Sequence, residues 1–180
     1  VKGRASIQER NLDIGFPFGW YPVVLSDDLV AGEVKPLRYF STDLAIWRGE
    51  DGKVRMVDAY CKHLGAHMGH GGKVHGNLLE CPFHAWRYDG EEGIVKEIPY
   101  SKSIPPQVKR KCTRTWAVTE ANGWIWTWYH PDPAVGPMWD AARWRAILPP
   151  PVGWPLIGRR RLAAAAPGFG MLASSAYIYQ

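Results

Sequence analysis

Two short segments, each with one cysteine and one histidine, constrain this chain more than any other feature of its sequence. Cys61 and His63 are separated by one residue, and Cys81 and His84 are separated by two. Glycine or proline lies close to each pair, which favours tight loops. A thiolate and an imidazole on each of two loops that face each other form an arrangement suited to a metal centre.

The four side chains Cys61, His63, Cys81 and His84 are the ligand types of a mixed-ligand [2Fe–2S] cluster, the Rieske centre, with both cysteines on one iron and both histidines on the other. Two ferric ions, two sulfides and two thiolates sum to zero charge, whereas four thiolates would leave a negative cluster. An electron enters a neutral cluster more easily, so histidine ligation raises the reduction potential. The pattern therefore predicts one-electron chemistry.

Structural zinc is the competing interpretation, because zinc binds the same ligand types. Under it the chain is an interaction module that binds a partner protein. Zinc loops usually space their ligands by two to four residues, and the single residue between Cys61 and His63 fits that spacing poorly. Isolated cysteines and histidines are usually structural or surface residues, but a double pairing of this kind favours a metal site.

The segments around both pairs resemble the Rieske domain in the large (alpha) subunits of Rieske non-haem iron oxygenases. The resemblance rests on CKHLGA at 61–66 and CPFHAWRYDG at 81–90, with IPY at 98–100, IPP at 104–106 and NGWIW at 122–126. It covers about residues 16–131. Within the ring-hydroxylating group it leans toward steroid-type monooxygenases and desaturases.

The resemblance implies an all-β fold of short antiparallel strands, with the cluster at the tip of two loops. It also implies an electron donor, a reductase or ferredoxin, and an electron acceptor, a catalytic domain with a mononuclear Fe(II) that activates dioxygen. The full-length enzyme would hydroxylate an aromatic or steroid-like substrate and could be oligomeric. A free-standing Rieske ferredoxin is the alternative within redox proteins, but the oxygenase-like flanks and the chain length count against it.

The catalytic iron of such oxygenases is held by two histidines and one carboxylate. No histidine follows His130, so this facial triad cannot be built from the C-terminal part of the sequence. We therefore expect an incomplete oxygenase component, without a catalytic residue of its own, which does not oxygenate as an isolated chain.

Composition divides the chain into an N-terminal arm at 1–15, the Rieske domain at 16–132 and an irregular basic tail or truncated remnant at 133–180. Five arginines and no acidic residue lie beyond Asp140, and these account for the whole net charge of +5. The preceding part is neutral overall, which gives no support for nucleic-acid binding. A local basic cluster, Lys109, Arg110, Lys111 and Arg114, is either a solvated strand face or a docking patch for an acidic redox partner.

The sequence contains no apolar run long enough to span a membrane. With Cys61 and Cys81 assigned to iron, Cys112 has no partner for a disulfide, which favours a reducing, cytoplasmic compartment. Hairpins are expected around residues 49–52 and 122–123, from turn-forming residues between apolar runs. In the second, the alternation predicts Trp124, Trp126 and Trp128 on one face, packed in the core.

A low reduction potential is also expected, within the range of roughly −150 to +300 mV for such centres. Hydrogen bonds to the sulfurs stabilise the added electron. Residues 62–66 and 82–86 contain no hydroxyl side chain, so backbone N–H groups are the expected donors. Tyr60 and Tyr88 are the nearby hydroxyls that would raise the potential if either reached a sulfur.

Overall fold

The computed structural model describes residues 15–141, which form three small antiparallel sheets with one short α-helix. A 3₁₀ turn at Ser26–Asp28 follows the first strand. The strands and the α-helix are β1 (Gly19–Leu25), β2 (Val34–Tyr39), β3 (Thr42–Arg48), β4 (Val54–Asp58), β5 (Lys73–His75), β6 (Leu78–Glu80), β7 (Arg87–Tyr88), β8 (Val95–Glu97), α1 (Pro106–Lys109), β9 (Val118–Ala121) and β10 (Trp124–Tyr129). The predicted all-β fold is confirmed.

The sheet β2-β3-β4 lies between the other two sheets, whose orders are β1-β10-β9 and β5-β6-β7-β8. Side chains alternate along a strand, so a sheet covered on both sides is apolar on both faces. One face carries Ala45, Trp47 and Val57, which pack toward β5–β8, and the other carries Leu44, Ile46 and Met56, which pack toward β1 and β10. The middle sheet thus joins two hydrophobic cores.

The hairpin predicted at residues 49–52 is confirmed as the connection between β3 and β4. The turn predicted at 122–123 is confirmed too, with Asn122 and Gly123 at φ 54° and 77° between β9 and β10. Positive φ at both central residues suits the right-handed twist of a two-residue hairpin. The expected strand from residue 108 onward is shorter, because Pro106 begins α1 and regular pairing starts only at Val118.

The tryptophan face of β10 packs differently from the prediction. Ile125 and Thr127, on the opposite face, are fully buried, and Trp128 is 4% exposed. Trp124 and Trp126 are only half-buried. The more buried face is therefore the one without tryptophan, because Ile125 belongs to the core shared with the middle sheet.

Residues 133–141 contain no strand, yet they pack on the first sheet. The indole N–H of Trp20 donates to the carbonyl of Trp139 at 2.8 Å, and the rings of Trp128 and Trp139 lie 4.7 Å apart. Ala141 is buried. The predicted arm at 1–15 and tail at 133–180 lie largely outside the described residues. No helix in the described range has the length and apolar character needed to cross a bilayer.

Candidate metal centre

The first ligand loop, residues 61–66, connects β4 to β5 and is closed by two backbone hydrogen bonds. The N–H of Cys61 donates to the carbonyl of Ala66 at 2.9 Å, and the N–H of Gly65 donates to the carbonyl of Cys61 at 2.9 Å. Gly65 has φ 73°, a conformation that glycine adopts without steric cost. These bonds fold the loop back on its cysteine.

The second ligand loop, residues 81–86, connects β6 to β7 and repeats this arrangement. The N–H of Cys81 donates to the carbonyl of Trp86 at 2.9 Å, and the N–H of Ala85 donates to the carbonyl of Cys81 at 3.1 Å. Ala85 has φ 54°, at the position where the first loop has Gly65. Both loops therefore share one backbone turn, in which the histidine stands two residues after Cys61 in the first loop and three residues after Cys81 in the second.

The structure brings the four predicted site residues together at one end of the domain. Cys61 and Cys81 are buried, at 4% and 2% exposure, whereas His63 and His84 are exposed. The two imidazole rings lie 4.8 Å apart, edge to face. A [2Fe–2S] cluster held by these residues would have its thiolate ligands on the buried side and its imidazole ligands at the surface.

A tyrosine hydroxyl contacts the Cys61 sulfur, and it belongs to Tyr88, one of the two tyrosines that the sequence placed near the loops. The hydroxyl of Tyr88 lies 3.1 Å from the Sγ of Cys61 and accepts the N–H of Lys62 at 2.9 Å. With that N–H as its donor, the hydroxyl has its own proton for a thiolate. Tyr88 is fully buried, and burial raises the pKa of its hydroxyl, so it stays protonated. A hydroxyl donor at this sulfur favours a higher reduction potential than the sequence predicted.

The Cys81 sulfur has different surroundings. Burial raises the pKa of its thiol, and the nearby Cys61 thiol raises it further. The backbone N–H groups of Phe83 and His84 act in the opposite direction by stabilising the thiolate. Metal binding deprotonates such a thiol, and these N–H groups are then in place to stabilise the sulfur charge.

The His63 ring is held by aromatic residues that sequence reasoning did not assign to the site. It stacks on Trp86 with ring centroids 4.6 Å apart and an interplanar angle of 7°. The Trp86 indole N–H donates to the hydroxyl of Tyr100 at 2.8 Å. The ring of His84 has no comparable stacking partner among the described residues. The histidine at 63 therefore has a fixed ring plane, while the one at 84 faces solvent more freely.

The arrangement suits a binuclear cluster better than a single metal ion. Within residues 15–141, no three histidine, cysteine, aspartate or glutamate side chains converge on a point where one ion could bind. A structural zinc site needs four such ligands on one ion. A [2Fe–2S] cluster needs only two protein ligands on each iron, because sulfide ions are the other two ligands. The residues present thus fit this cluster.

Comparison with known proteins agrees with this geometry. The family model of the Rieske [2Fe-2S] domain matches residues 19–113, a range that contains both ligand loops. The family indicates a Rieske-type [2Fe–2S] cluster as the cofactor, rather than the zinc ion of the competing interpretation. The homologues below are oxygenases and desaturases, as the resemblance implied.

A cholesterol 7-desaturase of Hemicentrotus pulcherrimus is 49% identical to the chain over 117 residues, which are 63% of this chain and 24% of that protein. The oxygenase component of a probable 3-ketosteroid-9-alpha-monooxygenase of Rhodococcus rhodochrous is 39% identical over 130 residues, 69% of this chain and 31% of that protein. The chain thus spans about a quarter to a third of these curated relatives.

Similar solved structures are also oxygenases. The reduced oxygenase–ferredoxin complex of carbazole 1,9a-dioxygenase aligns with a TM-score of 0.56 and 29% identity, covering 63% of this chain and 29% of that one. Apo dicamba monooxygenase aligns with a TM-score of 0.58 and 28% identity, covering 67% and 35%. With the family model matched over more than half of its residues, the chain belongs to the family of Rieske [2Fe–2S] domains.

Proposed function

We propose that Cys61, His63, Cys81 and His84 hold a Rieske [2Fe–2S] cluster, and that the chain transfers single electrons as part of an oxygenase. The observation that carries this proposal is the pair of matching loops. They place two buried cysteines beside two exposed imidazoles whose rings are 4.8 Å apart. When bound, the cluster supplies a reversible one-electron site.

The residues around such a cluster would have different roles. The buried cysteines keep the sulfur side away from water, which limits hydrolysis and sulfide loss. The exposed imidazoles place the other side at the surface, within reach of a partner. Tyr88 donates a hydrogen bond to one sulfur, and Trp86 fixes the plane of His63. Electron entry and exit at this end follow from that arrangement.

The full-length protein is proposed to be an oxygenase or desaturase of the steroid-type group. The two relatives described above are named for cholesterol 7-desaturation and for 3-ketosteroid 9α-monooxygenation. Electrons would come from a reductase or ferredoxin and pass to a mononuclear Fe(II) in a catalytic domain. The structural neighbour named as an oxygenase–ferredoxin complex supports a donor of this class.

A reducing, cytoplasmic compartment and the domain limits at 16–132 are part of the same proposal. Cys61, Cys81 and Cys112 are all free thiols in the structure, which suits a reducing environment. The limits rest on the family match and on the paired strands β1 and β10, which join the two ends of this range into one sheet.

The decisive measurement is iron and acid-labile sulfide on chain purified without oxygen. About two of each per chain is expected, together with reversible bleaching of the visible spectrum by dithionite. Cys81→Ser should lose both, whereas Cys112→Ser should keep them, because Cys112 is not one of the proposed ligands. One equivalent of zinc without sulfide would refute the proposal.

A further inference from the structure

A group of basic side chains lies at the surface near the first ligand loop. We name it the basic strip and define it by its members Lys62, Lys109, Arg110, Lys111 and Arg114. Lys62 lies inside the loop, between two proposed ligands. The other four follow one another at the end of α1 and in the segment that leads to β9. Of the five, four are exposed and Arg114 is half-buried.

Backbone contacts place this segment next to the first ligand loop. The N–H of Asp58, the last residue of β4, donates to the carbonyl of Arg114 at 3.1 Å. The N–H of Cys112 donates to the carbonyl of Gly93 at 2.8 Å. Burial raises the pKa of the Cys112 thiol, and the nearby Lys62 ammonium partly opposes that rise. The two ends of the strip therefore share one side of the domain.

The charges of the strip are not neutralised by the domain itself. Most other surface arginines and lysines pair with carboxylates, such as Arg48 with Glu120 and Arg87 with Glu97. All five cations of the strip lie within residues 15–141. None of them forms an ion pair with a carboxylate of that range. The guanidinium of Arg114 instead lies 3.8 Å from the centroid of the Trp116 ring. The strip thus concentrates positive charge that no carboxylate among residues 15–141 neutralises through an ion pair.

The tip beside the strip is apolar. Leu64 and Phe83, one from each ligand loop, are 67% and 66% exposed. Protein interfaces commonly combine an apolar centre with a charged rim, and charge complementarity steers the encounter without adding much affinity. A surface with two exposed apolar side chains, two exposed imidazoles and an unpaired basic flank has this composition.

We propose that the basic strip orients an acidic, diffusing electron-donor protein over the ligand loops. The inference rests on the proposed function and adds the surface and the charge of the partner. A freely diffusing donor gains most from such steering, because long-range attraction raises the encounter rate. Nucleic acid fits less well, because the basic run at 109–114 contains no aromatic residue on which a base could stack.

The first test uses small electron acceptors of opposite charge. The dithionite-reduced chain is mixed with hexacyanoferrate(III) or hexaammineruthenium(III), each of which takes one electron from it. At about 10 mM salt the Debye length is ~30 Å. Under this condition the charge-reversal variant Lys109→Glu/Lys111→Glu should transfer its electron to the anionic acceptor roughly fivefold or more slowly than wild type, and to the cationic acceptor faster. Both effects should vanish at high salt.

The matched control is Lys73→Glu/Lys102→Glu, which makes the same change of charge at two exposed lysines that also form no ion pair with a described carboxylate. These two lysines are outside the strip, so the rates should stay within about twofold of wild type. A second readout does not depend on electron transfer. Binding of a fluorescent decaglutamate peptide, measured by anisotropy, should weaken by about tenfold in the strip variant only, since each lost contact removes a salt-dependent attraction.

Several outcomes would overturn the inference. One is a strip variant whose electron-transfer rates with both acceptors and whose affinity for the peptide equal those of wild type. Another is a control variant whose rates and affinity change as much as those of the strip variant. A third is a single-stranded oligonucleotide that binds more tightly than decaglutamate and whose binding the strip variant abolishes. Failure of the proposed function would show differently, as a wild-type chain without iron, sulfide or dithionite bleaching, whereas the peptide binding would still report on the strip.

Discussion

The two ligand loops have the same backbone and different surroundings. Residues 61–66 and 81–86 are closed by equivalent hydrogen bonds, and each has one residue at positive φ in the same place. The first loop receives side chains from outside itself, a hydroxyl from Tyr88 at its sulfur and an indole from Trp86 at its imidazole. The second loop receives backbone N–H groups of its own.

This difference separates what holds a metal centre from what adjusts it. The shared backbone turn places a thiol and an imidazole, and it works with either Gly65 or Ala85 at its positive-φ position. The unshared contacts affect only one thiol and one imidazole. We therefore expect changes to the common features to abolish the centre, and changes to the unshared contacts to alter its potential while leaving it in place.

The largest effect is expected when a cysteine of either loop is replaced. Cys61→Ser and Cys81→Ser should each lose iron and sulfide, and because metal binding contributes to folding, the thermal midpoint should fall by on the order of 10 °C or more. Equal losses in the two variants would support the equivalence of the loops. Retention of a full cluster in one variant would show that its cysteine is not a ligand.

Removal of the Tyr88 hydroxyl should have the next largest effect. Tyr88→Phe keeps the buried ring but removes the donor to Cys61, so the reduced state loses stabilisation and the potential should fall. About 1 kcal/mol of preference for the reduced state corresponds to roughly 45 mV for one electron. A redox titration at neutral pH measures the shift.

The matched control for this change is Tyr60→Phe. The hydroxyl of Tyr60 adjoins the same loop in sequence but donates to Asp43 at 2.7 Å, not to a sulfur. Its removal should leave the potential within about 10 mV, on the scale set by one lost hydrogen bond. Equal shifts in both variants would contradict a specific role for Tyr88.

Exchange of the positive-φ residues tests the equivalence of the two turns directly. Ala85→Gly removes a left-handed alanine, a strain of about 1–2 kcal/mol, partly offset by the greater freedom of glycine in the unfolded chain. A gain of about 0.5–1 kcal/mol in unfolding free energy is expected. Gly65→Ala should cost a similar amount, because no residue of the range 15–141 other than its two chain neighbours comes within 4 Å of the added Cβ, and the backbone strain remains. Denaturant titration measures both, and changes of the same sign would contradict the equivalence.

The smallest effect is expected at a charge pair outside both loops, which provides a background for the comparison. The guanidinium of Arg55 lowers the pKa of Asp51 from 3.8 to about 2. Because the folded-state pKa is the lower one, ionised Asp51 stabilises the fold above pH 4, and this contribution is lost as the pH falls from about 4 to about 2. Asp51→Asn should therefore be slightly less stable at neutral pH, with the difference disappearing toward pH 2.

Asp27→Asn is the control for this change, since Asp27 forms no ion pair with another described residue and the charge removed is the same. Its unfolding free energy at neutral pH should stay close to that of wild type, because no ion pair of the described residues is lost. Iron and sulfide content should be unchanged in both variants. A loss of cluster in Asp51→Asn would show that this pair is coupled to the ligand loops.

The features that were predicted correctly from the sequence are local ones. The hairpin at residues 49–52 and the turn at Asn122–Gly123 follow from short-range backbone preferences, and the pairing of cysteine with histidine is visible in the spacing alone. The prediction that the tryptophan face of β10 packs in the core was wrong. The alternation of residues identifies two faces of the strand, but it does not tell which of them packs against the middle sheet. Ile125 and Thr127 are buried there through packing with residues far away in sequence.

The support of the site was not predictable for the same reason. Tyr88 was one of two tyrosines considered, and only the pairing of β6 with β7 determines that it is the one whose hydroxyl reaches Cys61. The stacking of Trp86 on His63 joins residues of different loops, and its link to Tyr100 adds a third segment. Such contacts depend on how the loops are packed against each other, which residue spacing does not determine.

The direction of this support has a consequence for the order in which the site can form during synthesis. The first loop leaves the ribosome before the second, but the hydroxyl at its sulfur belongs to residue 88, and the aromatic pair behind its histidine belongs to residues 86 and 100. A nascent chain that ends shortly after residue 66 has one complete loop without any of its neighbours. Cys61 and His63 would thus remain accessible to other metal ions and to oxidants until about thirty-five more residues have been added, so the cluster is best delivered after that point.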